Sequence, residues 1–293
     1  MIMNPIAESE LIINPDGSIF HLHIRPEELA ERIILVGDPG RVATIVSYFD
    51  SVLYAGSNRE FVWSTGKFNA KLFTVLSTGI GTDNIDIVLT ELDALVNIDF
   101  KTRSPKAERR SLQIVRIGTS GSLQADIPVD SWLLSQKAIG FDGLLNFYEG
   151  RDAVCDLAFE KAFVEASGWK PTLTSPYVIN ADKVLFEALK GPEVYSGVTI
   201  SAPGFYGPQG RVVRLGLAMP DINDRISAFR HNDFRIANYE MECSAIYGLS
   251  ALLGHRAATV CVIIANRLAG TYSKDYKKQV KRLIEYVLAR LSR

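Results

Sequence analysis

The chain has 293 residues, of which 47% are hydrophobic, 22% are charged and 10% are aromatic. This composition excludes disordered, collagen-like and small disulfide-scaffold proteins, and the length allows one large domain or two small ones. The 32 Lys and Arg residues are balanced by 33 Asp and Glu residues, for a formal charge of −1. This balance disfavours nucleic acid as a partner, since its binders usually carry a basic surplus.

Apolar runs and cysteines indicate the cellular setting. The longest apolar run, residues 257–265, has nine residues, whereas a membrane span needs roughly 20. The N-terminus lacks the basic start and long apolar core of a signal peptide. The three cysteines, Cys155, Cys243 and Cys261, form no CxxC pair, so neither a zinc knuckle nor a disulfide framework is predicted. We expect a soluble, reduced, cytoplasmic protein without a membrane anchor.

Strand and helix patterns alternate along the chain. Short Ile- and Val-rich runs that end at or near glycine, asparagine or hydroxyl residues predict strands buried on both faces, over residues 32–36, 71–76, 112–117, 198–202 and 258–264. Amphipathic spacing predicts three helices. The first is capped by Thr82 or Asp83, and the other two span residues 240–253 and 275–291. There is no repeat and no long linker, so the pattern favours a single α/β domain.

Ligands of open α/β sheets bind beyond the carboxyl ends of the strands. Three predicted strand ends combine glycine with hydroxyl or arginine side chains: residues 37–41 (GDPGR), 77–81 (STGIG) and 116–121 (RIGTSG). Glycine lets backbone N–H groups approach an anion, and arginine adds a charged fork. Each loop alone is equally an ordinary strand-to-helix turn, and neither a Walker A motif nor GxGxxG occurs at these loops. Two arginine–glycine loops together favour a small oxyanion such as phosphate.

Two later segments carry further candidate groups. Residues 238–242 (NYEME) are predicted to open a helix. Their two carboxylates either favour the helix dipole, or one points inward and accepts hydrogen bonds from a vicinal diol. Residues 205–211 (FYGPQGR) place aromatic, amide and guanidinium side chains together, which suits a planar ring with a polar edge. The alternative is an exposed turn with Phe205 as a satellite of the core.

The order of these motifs resembles the nucleoside phosphorylase-I family. The matching segments are FHL at 20–22, GDPGR at 37–41, NREF at 58–61, STGIG at 77–81, RIGTSG at 116–121, FYGPQGR at 205–211, NYEME at 238–242 and IIANR at 263–267. The resemblance implies an N-terminal extension over residues 1–19 and one catalytic domain over 20–293. It also implies a three-layer α/β/α sandwich around a mixed, partly barrel-like sheet.

The resemblance assigns roles by position. The implied phosphate ligands are Gly37, Arg41, Arg116, Thr119 and, from a neighbouring subunit, Arg59. The implied ribose ligands are Met241, Glu242 through the 2′- and 3′-hydroxyls, and the neighbour's His21 at the 5′-hydroxyl. The implied base ligands are Phe205, Gln209, Arg211 and, near O4, Arg267. Arg211, Gln209, Glu242 and Arg116 would act in catalysis, with phosphate as co-substrate and no required cofactor or metal.

Base specificity has a physical basis. The amide of Gln209 and the guanidinium of Arg211 complement the O2–N3–O4 edge of uracil. Purine-specific members of the family place an aspartate after the late strand, where this chain has Ala265, Asn266 and Arg267. The resemblance therefore implies phosphate-dependent cleavage of uridine to uracil and ribose 1-phosphate in pyrimidine salvage. The alternatives are a purine or modified-nucleoside phosphorylase, a nucleosidase that uses water, and a non-catalytic nucleoside-binding protein.

Three segments depart from the family pattern. Residues 97–113 are long and basic, which predicts a solvated insertion loop or a contact to a neighbouring subunit or acidic partner. Glu60 is retained but Asn84 replaces a family serine, which leaves open a monovalent cation between subunits. Residues 140–149 lack a recognisable family sequence. The family also implies a homo-oligomer in which dimers are the catalytic units of a hexamer.

Overall fold

The computed structural model describes residues 5–293. Its strands are β1 Arg32–Val36, β2 Ser51–Asn58, β3 Phe61–Phe68, β4 Lys71–Ser77, β5 Ile98–Asp99, β6 Ser104–Pro105, β7 Gln113–Ser122, β8 Trp132–Gly140, β9 Tyr177–Asn180, β10 Val194–Ser201, β11 Arg230–His231, β12 Phe234–Glu240, β13 Arg256–Asn266 and β14 Thr271–Tyr272. Its α-helices are α1 Pro39–Val46, α2 Thr82–Asn97, α3 Arg151–Val154, α4 Leu157–Ser167, α5 Lys183–Leu189, α6 Ile222–Ala228, α7 Cys243–Leu253 and α8 Tyr276–Leu291. None of the helices within residues 5–293 is long and apolar enough to cross a membrane.

A mixed sheet of 12 strands forms the centre of the fold, in the order β11-β12-β10-β8-β13-β7-β1-β4-β3-β2, with β9 and β14 on its sides. β12 also pairs antiparallel with β7, through Asn238 with Ser122 and Tyr239 with Gly121. This extra pairing closes β7, β13, β8, β10 and β12 into a barrel, while the remaining strands extend as an open sheet. The predicted mixed, partly barrel-like sheet is confirmed.

Helices cover the sheet on both sides, because its central strands are apolar on both faces. In β1, Ile33 and Leu35 pack with α2 and α7, whereas Ile34 and Val36 pack with α1, α5 and α8. Alternate side chains of a strand point to opposite faces, so one short apolar run serves two cores. Burial of each such side chain contributes about 1.5–3 kcal/mol. The three-layer α/β/α arrangement is thereby confirmed.

The predicted strands are present, but β7, β10 and β13 are several residues longer than their apolar runs. β7 continues through residues 118–122, so the RIGTSG segment lies within a strand and not in a loop after it. The prediction was wrong because glycine and serine carry no apolar signal. Their backbone is held on one side by β13, where Gly118 lies opposite Cys261, and on the other by the barrel-closing pairing with β12.

Two helix starts also differ from the prediction. The residue before α2 is Gly81, in a left-handed conformation with φ 105°, and not Thr82 or Asp83. The NYEME segment does not open a helix: β12 runs to Glu240, and α7 starts at Cys243. The cause is tertiary, because Glu240 pairs with Ser201 of β10 as the last residue of a barrel strand.

The insertion at 97–113 contains a small antiparallel hairpin of β5 and β6. The Arg103 guanidinium donates to backbone carbonyls of the N-terminal segment, at Ile6 (2.7 Å), Ala7 (3.1 Å) and Leu11. The Lys106 ammonium donates to the carbonyl of Val96 at 2.9 Å. The insertion is therefore not simply a solvated loop, since it binds residues 6–11 near the N-terminus.

Candidate active site

A cleft of about 780 Å³ opens where β1, β7, β10, β12 and β13 approach the starts of α1, α2 and α7. It brings together nine of the predicted site residues: Gly37, Arg41, Arg116, Thr119, Phe205, Gln209, Arg211, Met241 and Glu242. Two smaller cavities of about 310 Å³ contain none of them. The sequence-predicted groups therefore converge on one site although they extend along the chain from Gly37 to Glu242.

One end of the cleft is cationic. Asp38 caps α1 by accepting a hydrogen bond from the Gly40 N–H at 2.9 Å, and Arg41 in the first turn donates to the Ile117 carbonyl at 3.1 Å. Burial lowers the pKa of Arg41, and the neighbouring charge of Arg116 lowers it further. Two partly or fully buried guanidinium groups that repel each other favour an anion between them.

Arg116 is almost fully buried on β7. A Cβ on Gly118 would lie 2.1 Å from Nη1 of Arg116, so only glycine leaves room for the guanidinium. Nη2 donates to Glu242, and Nη1 lies 3.4 Å from a carboxylate oxygen of Glu240. Burial disfavours the charged form, but the two carboxylates outweigh it and raise the pKa of Arg116. The side chain is therefore a permanent cation in the cleft wall.

The two carboxylates of NYEME have separate roles. Burial raises the pKa of Glu240 to about 7, against the effect of Arg116. Its carboxylate accepts hydrogen bonds from the Glu242 N–H at 2.8 Å and the Cys243 N–H at 2.9 Å, so it stabilises the start of α7. Glu242 instead bonds Arg116 and accepts from the Gly81 N–H at 2.8 Å. Glu240 thus serves the helix start, whereas Glu242 points to the cleft and its contact with a diol stays a prediction.

The other end of the cleft combines aromatic, amide and guanidinium groups. The Arg211 guanidinium lies 3.8 Å from the centre of the Phe205 ring and donates to Oε1 of Gln209 at 2.5 Å. Gln209 is buried, whereas Phe205 is half exposed and faces the cleft. Phe205 is therefore no satellite of the core, and the cluster offers a stacking surface beside polar groups.

Arg267 does not line the cleft. Its guanidinium donates to the backbone carbonyls of Gln209 and Gly210, so it holds the turn that carries Gln209. Arg267 directly follows β13, which ends at Asn266. Its predicted place near O4 of the base stays a prediction.

Sequence reasoning missed two aromatic residues of the cleft, Tyr239 and Tyr272. Tyr239 lies within NYEME, and its hydroxyl donates to Asn223 at 3.2 Å. Its position within NYEME is a sequence signal that could have indicated it as a cleft residue. Tyr272 lies on the two-residue strand β14, which pairs with the end of β13, and no sequence signal marks it.

His21, Arg59 and Glu60 do not line the cleft of their own chain. Arg59 is exposed at the turn between β2 and β3, with φ 54°. Nδ2 of Asn84 donates to Glu60 at 3.2 Å and to the carbonyl of Thr78 at 2.9 Å. An amide donor thus already occupies one oxygen of Glu60, and the roles of these residues between subunits stay predictions.

Comparisons with known proteins agree with this geometry. The family model for the phosphorylase superfamily matches residues 31–292. A uridine phosphorylase of Thermococcus kodakarensis is 28% identical over 90% of this chain and 83% of its own length. A uridine phosphorylase of Haemophilus influenzae is 30% identical over 86% of this chain and 87% of its own.

Solved structures give the same result. The crystal structure of a Trypanosoma brucei nucleoside phosphorylase, described as having uridine phosphorylase activity, superimposes with a TM-score of 0.88 and 30% identity. The match covers 96% of this chain and 99% of that one. The cleft, its order of motifs and these matches lead to one conclusion: the chain belongs to the phosphorylase superfamily, as a member of its nucleoside phosphorylase family.

Proposed function

We propose that the protein catalyses phosphorolysis of uridine to uracil and ribose 1-phosphate. The observation that carries the proposal is that one cleft joins a cationic end, with Arg41 and Arg116, to an aromatic and amide end, with Phe205 and Gln209. Phosphate is the co-substrate of this family. Relatives named uridine phosphorylase, at 28–30% identity, support the choice of substrate.

The reaction follows from the two ends of the cleft. A phosphate oxygen forms a bond to the anomeric carbon as the glycosidic bond breaks, and the electrons of that bond leave with the uracil nitrogen. Arg41, Arg116 and Thr119 would hold phosphate next to the sugar, which supplies proximity. The departing uracil carries negative charge until it is protonated, and the Arg211 guanidinium would stabilise that charge as it develops.

Glu242 is the proposed sugar ligand, with Met241 beside it. In the free protein its two oxygens already accept from Arg116 and from the Gly81 N–H. Each carboxylate oxygen has a second lone pair, so the carboxylate retains capacity for the 2′- and 3′-hydroxyls. The same carboxylate would thereby connect the phosphate ligand Arg116 to the ribose.

A pyrimidine base suits the cleft better than a purine. Among the described residues that line it, the acids are Asp38, Glu240 and Glu242. Asp38 caps α1, and both glutamates interact with Arg116 at the cationic end. The base end therefore offers amide and guanidinium groups but no carboxylate for N7 of a purine.

We further propose a homo-oligomer whose catalytic unit is a dimer. β2 is an edge strand exposed along most of its length, and Val52, Leu53 and Tyr54 are 40–50% exposed. Exposed apolar side chains on an unpaired edge favour association. Arg59 directly follows β2, so it would lie at the interface with a second copy bound there. Assembly into a hexamer, a cytoplasmic location and a role in pyrimidine salvage stay predictions.

A phosphate-dependence assay tests the function. Release of base is measured from uridine, thymidine, cytidine, inosine and adenosine, with and without phosphate. We expect phosphate-dependent release that is fastest with uridine or another uracil-type nucleoside. Equal release without phosphate would indicate a nucleosidase, preference for inosine would indicate a purine enzyme, and binding without turnover would indicate a non-catalytic protein.

A further inference from the structure

His21 lies at the tip of a tight turn near the N-terminus. Ile19, Leu22 and Ile24 are fully buried around it, and the backbone closes through Ile19 N–H to the Ile24 carbonyl at 2.9 Å. The His21 side chain is 28% exposed. The anchored turn therefore presents one imidazole at the surface while its neighbours are fixed in the core.

The carboxylate of Glu91, on α2, contacts this turn. The carboxylate, 11% exposed, lies 2.6 Å from Nδ1 of His21. The same carboxylate accepts the backbone N–H of His21 at 3.0 Å and of Leu22 at 2.9 Å. One buried carboxylate thus contacts three nitrogen atoms of two consecutive residues. A glutamate that only solvates a helix surface makes no such set of contacts.

These contacts determine the state of the imidazole. An ionised carboxylate only accepts hydrogen bonds, so Nδ1 of His21 carries the hydrogen. Nε2 is then the remaining functional nitrogen, and no hydrogen bond to it forms within residues 5–293. The amide of Asn58 donates to the His21 carbonyl at 2.9 Å and ties the turn to β2, the exposed edge strand.

We propose that Glu91 is a positioning residue that fixes the tautomer and direction of His21, so that Nε2 meets the 5′-hydroxyl of a nucleoside in the neighbouring subunit. The inference rests on the proposed function and on the family role of His21. Glu91 does not line the cleft of its own chain and acts only through His21. A carboxylate that orients an imidazole in this way is a recurrent device at histidine sites.

The test compares uridine with 5′-deoxyuridine, which lacks the group that His21 would contact. kcat/KM is measured for both substrates in the wild type, His21→Ala, Glu91→Gln and Asp93→Asn. Asp93 is a matched control, because it lies on the same helix but bonds Asn97 at 2.6 Å instead of His21. We expect the preference for uridine over 5′-deoxyuridine to fall about tenfold in His21→Ala and by a similar factor in Glu91→Gln. It should be unchanged in Asp93→Asn.

The outcomes separate the inference from the proposed function. A wild type inactive on both substrates would refute the function itself. An unchanged preference in Glu91→Gln, beside a reduced one in His21→Ala, would overturn the role of Glu91 alone. Equal losses on both substrates in Glu91→Gln would indicate a purely structural residue and also overturn it. If Glu91→Gln does not fold, Glu91→Asp keeps the charge on a shorter side chain, and the same preference must then fall to an intermediate value.

Subunit mixing gives a second readout. Glu91→Gln subunits should regain uridine activity when mixed with Glu242→Ala subunits, because each would supply what the other lacks. They should not regain it with His21→Ala subunits. Recovery with His21→Ala would contradict the inference.

Discussion

Arg116 is buried in the cleft beside two carboxylates and is a proposed phosphate ligand. In Arg116→Ala the loss of a charge-assisted contact, worth about 1.5–3 kcal/mol, should reduce phosphorolysis at least about tenfold at sub-saturating phosphate. Initial rates over a phosphate series measure this effect. Arg109→Ala, an exposed arginine of the insertion, serves as the control, and unchanged activity in Arg116→Ala would refute the phosphate assignment.

Arg211 is expected to affect both rate and discrimination. It contacts Gln209 and the Phe205 ring. Arg211→Ala therefore removes a donor to the base and also the hydrogen bond that holds the Gln209 amide. An unpaired polar group in a buried site costs about 1–3 kcal/mol. kcat/KM for uridine should fall more than that for inosine. A fall of the same factor for both would mean that Arg211 does not read the base.

The buried thiols should be inert at neutral pH. Burial raises the pKa of Cys261 to about 12, and it raises that of Cys243 as well. Because only the thiolate reacts, each pH unit below the pKa lowers its fraction about tenfold. Iodoacetamide at pH 8 should leave both residues unmodified in the native protein and label them in urea, as mass spectrometry would detect. Rapid native labelling of Cys261 would contradict its complete burial.

At the scale of elements, the β5–β6 hairpin is expected to retain the N-terminal segment. Arg103 bonds the carbonyls of Ile6, Ala7 and Leu11, and Arg103→Ala leaves them without this partner. Hydrogen–deuterium exchange over residues 6–11 should accelerate several-fold, since local opening becomes easier. Arg109→Ala should leave it unaltered. Unchanged exchange in Arg103→Ala would show that other contacts hold this segment.

Helix and strand elements also differ in how well they can be predicted. α8 was predicted with its observed end and within one residue of its observed start, because Val280, Leu283, Ile284 and Val287 repeat on one face and are all buried. The end of β12 was not predicted, because Glu240 and Glu242 are identical side chains two residues apart. Their difference arises from the neighbours, Ser201 and the start of α7 for one and Arg116 for the other.

At the scale of the whole molecule, shared sites predict complementation. Glu242→Ala subunits should be nearly inactive alone, and His21→Ala or Arg59→Ala subunits should have reduced activity on uridine. Mixed oligomers should recover part of the activity, because some sites then combine an intact Glu242 with an intact residue of the neighbour. Native mass spectrometry verifies subunit exchange. No recovery after verified exchange would refute the contribution of His21 and Arg59 in trans.

The sequence by itself determined the family, the two-sided core and nine residues of the cleft, because those depend on local patterns of side chains and on the order of motifs. Only the tertiary structure decided the closure of β7 on β12, the bond from Arg267 to the turn that carries Gln209, and the hydrogen bond between Glu91 and His21. These depend on contacts between segments far apart in the chain. Gly118 illustrates the difference: in the sequence it is one glycine of a motif, and in the fold it is the space that Arg116 occupies.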